Sequence, residues 1–372
     1  MTLLVFLGLS AFVVDYGVLW VSRAQAQNAA DAGAVAGAVA RAYDDSANPP
    51  ASSFGIVADS VQKMVFENPV WFDKNAAQAV VTYECPPAAD RCVKVEVHRD
   101  GAVGSSPLPR FFLPVLGIPP QGVRATAIAQ VAVGNGTKCL KPWAIPDKWV
   151  EGSAPQNDSF ERYDGAGMLL INPDVYSPPP AGGLTFAADL GRLITLSFPN
   201  PDAIEPISEG FLLPLVLPGG NSYEENIAGC NGRLISFGKE VETGTPAMAA
   251  ATSAGAVDLI ASDPGASWNP ATNNVEGTCA PVCASNSPRL VALAVFNVAE
   301  YQLNRATSDW DCDGGGSGRC VNVVNIVGFF LDHVEAGGNV VGHIARYPGL
   351  LLPGNPTLST ASSFLPAITL VR

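Results

Sequence analysis

The sequence predicts an α+β protein: a long N-terminal helix anchored in a membrane, a small sheet beside it, and then a loop-rich, mainly β domain. Three observations carry this. The first 43 residues run apolar and then alanine-rich without a proline. Later segments alternate apolar and polar residues with period two, the signature of half-buried strands. The chain holds 37 Gly and 31 Pro in 372 residues, which demands many turns.

The first element is the apolar run Thr2 to Ser22. As a helix it spans about 31 Å, the thickness of a bilayer core. Tyr16 and Trp20 fall near its C-terminal end, where aromatic rings favour the interface, and Arg23 closes it. We expect residues 1–22 to form a transmembrane helix that continues to about residue 43 through "RAQAQNAADAGAVAGAVARAY", because alanine is the best helix former. The rival reading is a cleaved signal peptide. "AQA" at Ala24–Ala26 has the small-x-small form of a cleavage site. The usual basic n-region is missing, and the helical pattern runs through the site unbroken. A retained anchor is the better reading. The missing basic flank leads to the expectation that the true start lies upstream of Met1.

One carboxylate interrupts the apolar run, Asp15 in "FVVDYGVLW". A charge at the bilayer centre costs about 2.5–3.5 kcal/mol on insertion scales, so it needs a use. Protonation, water beside Tyr16, or a positive group on a neighbouring helix would each satisfy it. Gln27, Asn28 and Asp31 follow just outside the predicted span. They are read either as a solvated face or as polar contacts to neighbouring helices. The small residues Ala32, Gly33, Ala36 and Gly37 around them would let helix backbones approach closely.

A polar break at residues 44–53 precedes a second helix over Ser53–Asn68, where Ile56, Val57, Val61, Met64 and Val65 keep helical spacing. "AVVTYEC" (Ala79–Cys85) and "RCVKVEVHR" (Arg91–Arg99) alternate around a short Pro-containing loop and predict a hairpin. "PLPRFFLPVLG" (Pro107–Gly117) reads as one amphipathic turn or two, and Gly122–Gly134 as a further strand. These elements make a second region, residues 23–135, in which a sheet covers the exposed stripe of the helix. A boundary at Gly134–Trp143 opens the third region, residues 136–372. Its strand candidates are "MLLINP", "RLITLSF", "RLISFG", "LVALAVFNVAEY", "VNVVNIVGFFL" and "NVVGHIARY". Ala254–Trp268 starts as a helix and stops at a "DPG" turn.

Composition narrows the function. A net charge of −13 argues against nucleic acid and against recruitment to anionic lipid by charge. Eight cysteines, an even number partly in close pairs, suit an oxidising compartment. Proximity pairs Cys85 with Cys92, Cys279 with Cys283 and Cys312 with Cys320, which leaves Cys139 with Cys230. The stretch "DWDCDGGGSGRC" (Asp309–Cys320) places Asp309, Asp311, Asp313 and Gly314 like the first half of a calcium loop. Its twelfth position is Cys320 instead of a bidentate Glu, so an acidic loop closed by Cys312–Cys320 is the competing reading. No other cofactor is expected. His98, His333 and His343 show no zinc spacing. There is no G-x-S-x-G elbow and no phosphate loop after a strand, so no enzymatic activity is expected.

"VVDYGVLWVSRAQAQNAADAGAVAGA" (Val13–Ala38) resembles the N-terminal segment of the TadE/TadG-like family of Flp pilus assembly. The matching positions are Asp15, Gly17, Trp20, Arg23, Gln27, Asn28, Asp31 and the alanines to Ala38. "CLKPWAIPDKW" (Cys139–Trp149) and the C-terminal stretch from Gly342 look similar to longer proteins of this kind. The D-x-S-x-S metal motif of relatives that carry a von Willebrand A domain is missing. The resemblance implies a pseudopilin-like, single-pass protein of the bacterial inner membrane. Its pilin-like module and C-terminal domain would face the periplasm or cell surface. Asp15, Gly17, Gln27, Asn28 and Asp31 would pack against other pilin-type or pilus-assembly membrane proteins. The alternative is a secreted, calcium-dependent binding or adhesion protein released after Ala26.

Overall fold

The computed structural model describes residues 2–43, 55–83, 91–112, 114, 117–152, 157–164, 168–198, 206–245, 248–278, 287–307, 310, 312 and 319–371, with the backbone alone over residues 2–11. It is a mixed α+β structure with an N-terminal helix and a mainly β C-terminal region. It divides into two compact units: residues 1–132 with 368–372, and residues 133–367.

The first unit is built on α1 (Thr2–Tyr43), a single helix of 42 residues. Its buried residues include Ala26, Ala29, Ala30, Ala34 and Ala38, spaced three and four apart so that they share one face. That face packs on Val57, Val61 and Val65 of α2 (Ile56–Glu67) and on Val93, Val95 and Val97 of a strand. The strand is β2 (Cys92–Arg99), which pairs antiparallel with β1 (Gln78–Thr82), Val81 opposite Val95. On its other side β2 pairs antiparallel with β3 (Val123–Val133). The apolar positions of β2 and β3 alternate toward α1, as a half-buried sheet requires. The fourth strand of this sheet, Pro366–Val371, comes from the opposite end of the chain. The strand was not among the sequence candidates.

Gly33 and Gly37 are where the helix comes closest to its own fold. A methyl group on Gly37 would lie 2.7 Å from Val61 and 2.9 Å from Val93. These small residues therefore let α2 and β2 approach α1, instead of serving a neighbouring helix. Among the described residues no helix is long and apolar enough to cross a membrane.

The second unit centres on a seven-stranded sheet. Its order is Glu240–Thr243, Leu213–Val216, Leu140–Pro146, Leu290–Phe296, Cys320–Val334, Val340–Ala345 and Leu193–Leu196. Glu240–Thr243 also pairs with Cys320–Val334, so five strands close on one another. Leu140–Pro146 and Leu290–Phe296 run parallel, and the other pairings in this sheet are antiparallel. Val291, Leu293 and Val295 enter one core cluster, while Ala292, Ala294 and Phe296 enter another. A strand covered on both faces explains the unbroken apolar run "LVALAVF".

Two strand expectations fail for local reasons. "LVALAVFNVAEY" is a strand only to Phe296; a helix, Val298–Thr307, follows. Asn297 starts it, its side-chain oxygen accepting from the Glu300 N–H at 3.1 Å and its amide donating to the Glu300 carboxylate. This is helix-start chemistry that overrides alternation. "MLLINP" forms only a bridge between Tyr163 and Leu169, with Met168 and Ile171 exposed, so nothing buries it as a strand. The helix expected from Ala254 starts five residues earlier and runs Ala249–Ser262, ending at the Asp263–Gly265 turn.

Candidate functional site

The residues singled out in the sequence gather on the N-terminal part of α1. Over residues 12–22, Asp15, Val18 and Ser22 are buried, again three and four apart. The opposite face is open: Phe12, Val13, Tyr16, Trp20 and Val21 are exposed, and the rings of Phe12 and Tyr16 stack with centroids 5.4 Å apart. Phe12, Tyr16 and Trp20 stand four residues apart, so they form one aromatic ridge along the helix.

Asp15 is 6% exposed. Its Oδ1 accepts the N–H of Phe111 and its Oδ2 that of Phe112, each at 2.9 Å. Two charge-assisted bonds from adjacent amides hold one carboxylate, the pattern by which an acid satisfies a turn of irregular backbone. Backbone donors of the same chain thus take the place of the protonation, water or neighbouring cation expected from the sequence, and no local signal links positions 96 residues apart.

The segment that reaches Asp15 is itself anchored. Arg99, buried at the end of β2, donates from Nη1 to the carbonyls of Ser106 and Pro107 at 2.5 and 3.0 Å. Ser106 N–H donates to the Ala76 carbonyl and Leu108 N–H to that of Gln121. The described residues of Pro107–Gly117 hold one turn, closed by the Gly117 N–H donating to the Pro114 carbonyl at 3.1 Å. A groove of about 240 Å³ lies between this segment and α1, lined by Phe12, Asp15, Leu19, Leu108, Arg110 and Ile118 among others.

Farther along α1, Gln27 donates from Nε2 to Asp31 Oδ1 at 2.9 Å and to the Thr126 carbonyl of β3 at 3.2 Å. Asn28 and Gly17 are exposed, and no atom lies within 4 Å of where a Gly17 side chain would begin. The five positions thus split: Asp15 and Gln27 are engaged by their own fold, Asp31 by Gln27, while Gly17 and Asn28 face outward.

Disulfides join Cys139 to Cys230 and Cys312 to Cys320. Cys92 is disulfide-bonded, and its expected partner Cys85 lies outside the described residues, as do Cys279 and Cys283. Asp309, Asp311 and Asp313 also lie outside them. Among the described residues no group of three or more His, Cys, Asp or Glu could hold a metal ion. The histidines are apart: His98 sits between Glu96 and Asp100, His343 stacks on Trp268, and His333 lies beside Asp332.

The second unit holds a buried carboxylate pair that sequence reading missed. Asp147 accepts from Leu184 N–H at 2.7 Å, Lys148 N–H at 2.9 Å and Tyr176 O–H at 3.0 Å. Burial pushes its carboxyl up to about 6, against those bonds. Burial and the Asp147 charge both raise the Tyr176 hydroxyl. Asp189, also fully buried, is met by Lys148 Nζ at 3.1 Å and Arg192 Nε at 3.4 Å. The adjoining cavity of about 10 Å³ has room for about one water. The cluster ties the segments holding Tyr176 and Leu184 to the end of an interior strand, Leu140–Pro146.

Residues 1–40 match the family model described as "Putative Flp pilus-assembly TadE/G-like". No curated protein matches the chain, and no solved structure does.

Proposed function

We propose that this chain is a non-enzymatic, membrane-anchored component of a tight-adherence (Flp-type) pilus assembly or secretion apparatus in the bacterial cell envelope. The observation that carries the reading is the TadE/G-like match over residues 1–40, which coincides with α1. That family assignment supports a role in Flp pilus assembly among other components of the machinery. The anchor, the single-pass topology and the packing against pilin-type helices are the finer parts of the proposal.

The apolar sequence of Thr2–Ser22 favours a lipid-embedded segment continuous with α1. Disulfides in the second unit favour an oxidising compartment for it, the periplasm or cell surface. With one face of α1 committed to its own sheet, the exposed positions Gly17 and Asn28 are the ones left for other helices.

The test is fractionation and affinity purification of the full-length chain from its native bacterium, with N-terminal sequencing of the mature protein. The expected result is an inner-membrane protein that retains Asp15 and co-purifies with pilus-assembly proteins, and whose gene deletion abolishes piliation. A mature protein that begins at Gln27 and accumulates in the medium sinks the anchor and leaves the secreted binding protein.

A further inference from the structure

We infer that the Pro107–Gln121 segment is a second membrane-contact element, held by Asp15 so that Phe111 and Phe112 enter the phospholipid interface beside α1. This rests on the membrane anchor proposed above and adds a part of the chain that lies outside the TadE/G-like match. Three observations carry it.

The first is the placement of aromatic side chains. Phe111 and Phe112 are 53% and 42% exposed, in the same unit as the exposed ridge of Phe12, Tyr16 and Trp20. They are tied to α1 at the level of Asp15 by two hydrogen bonds. Aromatic rings are enriched at the membrane interface, where an apolar body and a polar surrounding coexist. The same helix carries the apolar sequence Thr2–Ala11.

The second is the backbone. Irregular chain at membrane depth is tolerated only where its N–H and C=O groups are satisfied by protein. Residues 107–120 contain five prolines, which have no N–H to satisfy. Leu108 N–H is met by Gln121, Gly117 N–H by Pro114, and the Phe111 and Phe112 amides by Asp15. The carboxylate that is costly in a lone helix is compensated by donors that would be costly in a lone loop.

The third is charge. The chain carries −13, yet residues 101–122 contain no acidic residue and one arginine, Arg110. Arg110 and Arg23 are exposed at this end of the unit. Long cationic side chains beside apolar ones suit a phospholipid surface, stems in the apolar layer and heads among phosphates.

The experiment places the photo-crosslinker p-benzoylphenylalanine at position 12, 112 or 171, one at a time, in the full-length chain. Each variant is reconstituted in vesicles of phosphatidylcholine and phosphatidylglycerol. Ile171, 95% exposed and in the second unit, is the water-facing control. The expected result is lipid adducts at 12 and 112 about tenfold above those at 171, in line with interfacial burial. Adducts at 12 without adducts at 112 overturn the loop proposal and leave the anchor standing. Adducts at neither position overturn both. Protein adducts in place of lipid at 112 overturn the proposal in favour of a docked partner. Asp15→Ala is expected to abolish lipid adducts at 112 and keep those at 12, which also reports that the helix still inserts. Undiminished adducts at 112 in that variant overturn the clamp.

Discussion

The Asp15 carboxylate and the Phe111 amide, 96 residues apart in sequence, are joined by a 2.9 Å hydrogen bond, and Phe112 completes the pair from the next residue. The acid is buried, so its bonds are shielded from water. Removing it leaves two amides without their acceptor. Losing a hydrogen bond to a charged group costs about 1.5–3 kcal/mol. Asp15→Ala is therefore expected to destabilise the first unit by about 3 kcal/mol, and Asp15→Asn, which keeps one acceptor, by about half of that. Denaturant unfolding in detergent measures both. Equal stability of Asp15→Ala and wild type would show that the bonds contribute nothing net.

This contact also marks where sequence stops being informative. The α1 helix, the hairpin of β1 and β2, and the strands around Val123–Val133 and Cys320–Val334 were legible because their periodicities are local. The switch from strand to helix at Asn297 was legible in principle, since Asn297 and Glu300 stand at cap spacing, but the apolar run before it dominated the reading. The closing strand Pro366–Val371 and the Asp15 clamp were not legible, because each depends on a partner more than 90 residues away. The Asp147 pair was hidden by non-local contacts of shorter span: Tyr176 and Leu184 reach it from other loops 29 and 37 residues away.

Gly37 and Gly17 are both helical glycines, and their surroundings predict opposite outcomes. At Gly37 an added methyl meets Val61 at 2.7 Å and Val93 at 2.9 Å, so Gly37→Ala overpacks the core. Overpacking typically costs about 1–3 kcal/mol, which outweighs the gain in helix propensity of about 1 kcal/mol. At Gly17 there is open space, so Gly17→Ala is expected to raise stability by up to about 1 kcal/mol. Thermal melts of the two variants should move in opposite directions. If Gly17→Ala melts higher yet loses its co-purifying partners, the defect lies in helix packing between chains and not in folding.

The disulfide between Cys139 and Cys230 closes a loop of 91 residues that includes three strands of the central sheet and the helix Tyr223–Ala228. Beside it, buried Lys141 donates from Nζ to the Ile227 and Gly229 carbonyls at that helix's C-terminal end. Cross-links across loops of this length stabilise by about 2–5 kcal/mol. Replacing both cysteines by serine is expected to lower stability by about 4 kcal/mol, read as a shift in the urea midpoint at constant slope. The Cys312 to Cys320 bridge spans only 8 residues, so its removal should cost less.

Asp147 gives a pH dependence whose sign follows from its surroundings. Its carboxyl is raised by burial from 3.8 to about 6 in the folded chain. Between those two values the native state holds more proton than the unfolded state. Raising the pH through that window therefore disfavours the native state, and the contribution is lost as pH climbs toward 6. A shift of about two units corresponds to about 3 kcal/mol. Three donors converge on Asp147, and the Lys148 and Arg192 cations beside it are engaged by Asp189 and Glu209. Among the described residues the neighbouring cations are thus committed to other carboxylates, while burial favours the neutral form of Asp147. Asp147→Asn removes the titration while keeping the shape. Its stability relative to wild type should rise by about 3 kcal/mol between pH 4 and pH 7, offset by a constant amount for the bonds Asn cannot accept. Chemical denaturation of both proteins across that range measures the difference. A difference that stays flat with pH would mean that the hydrogen bonds to Asp147 compensate its burial in full.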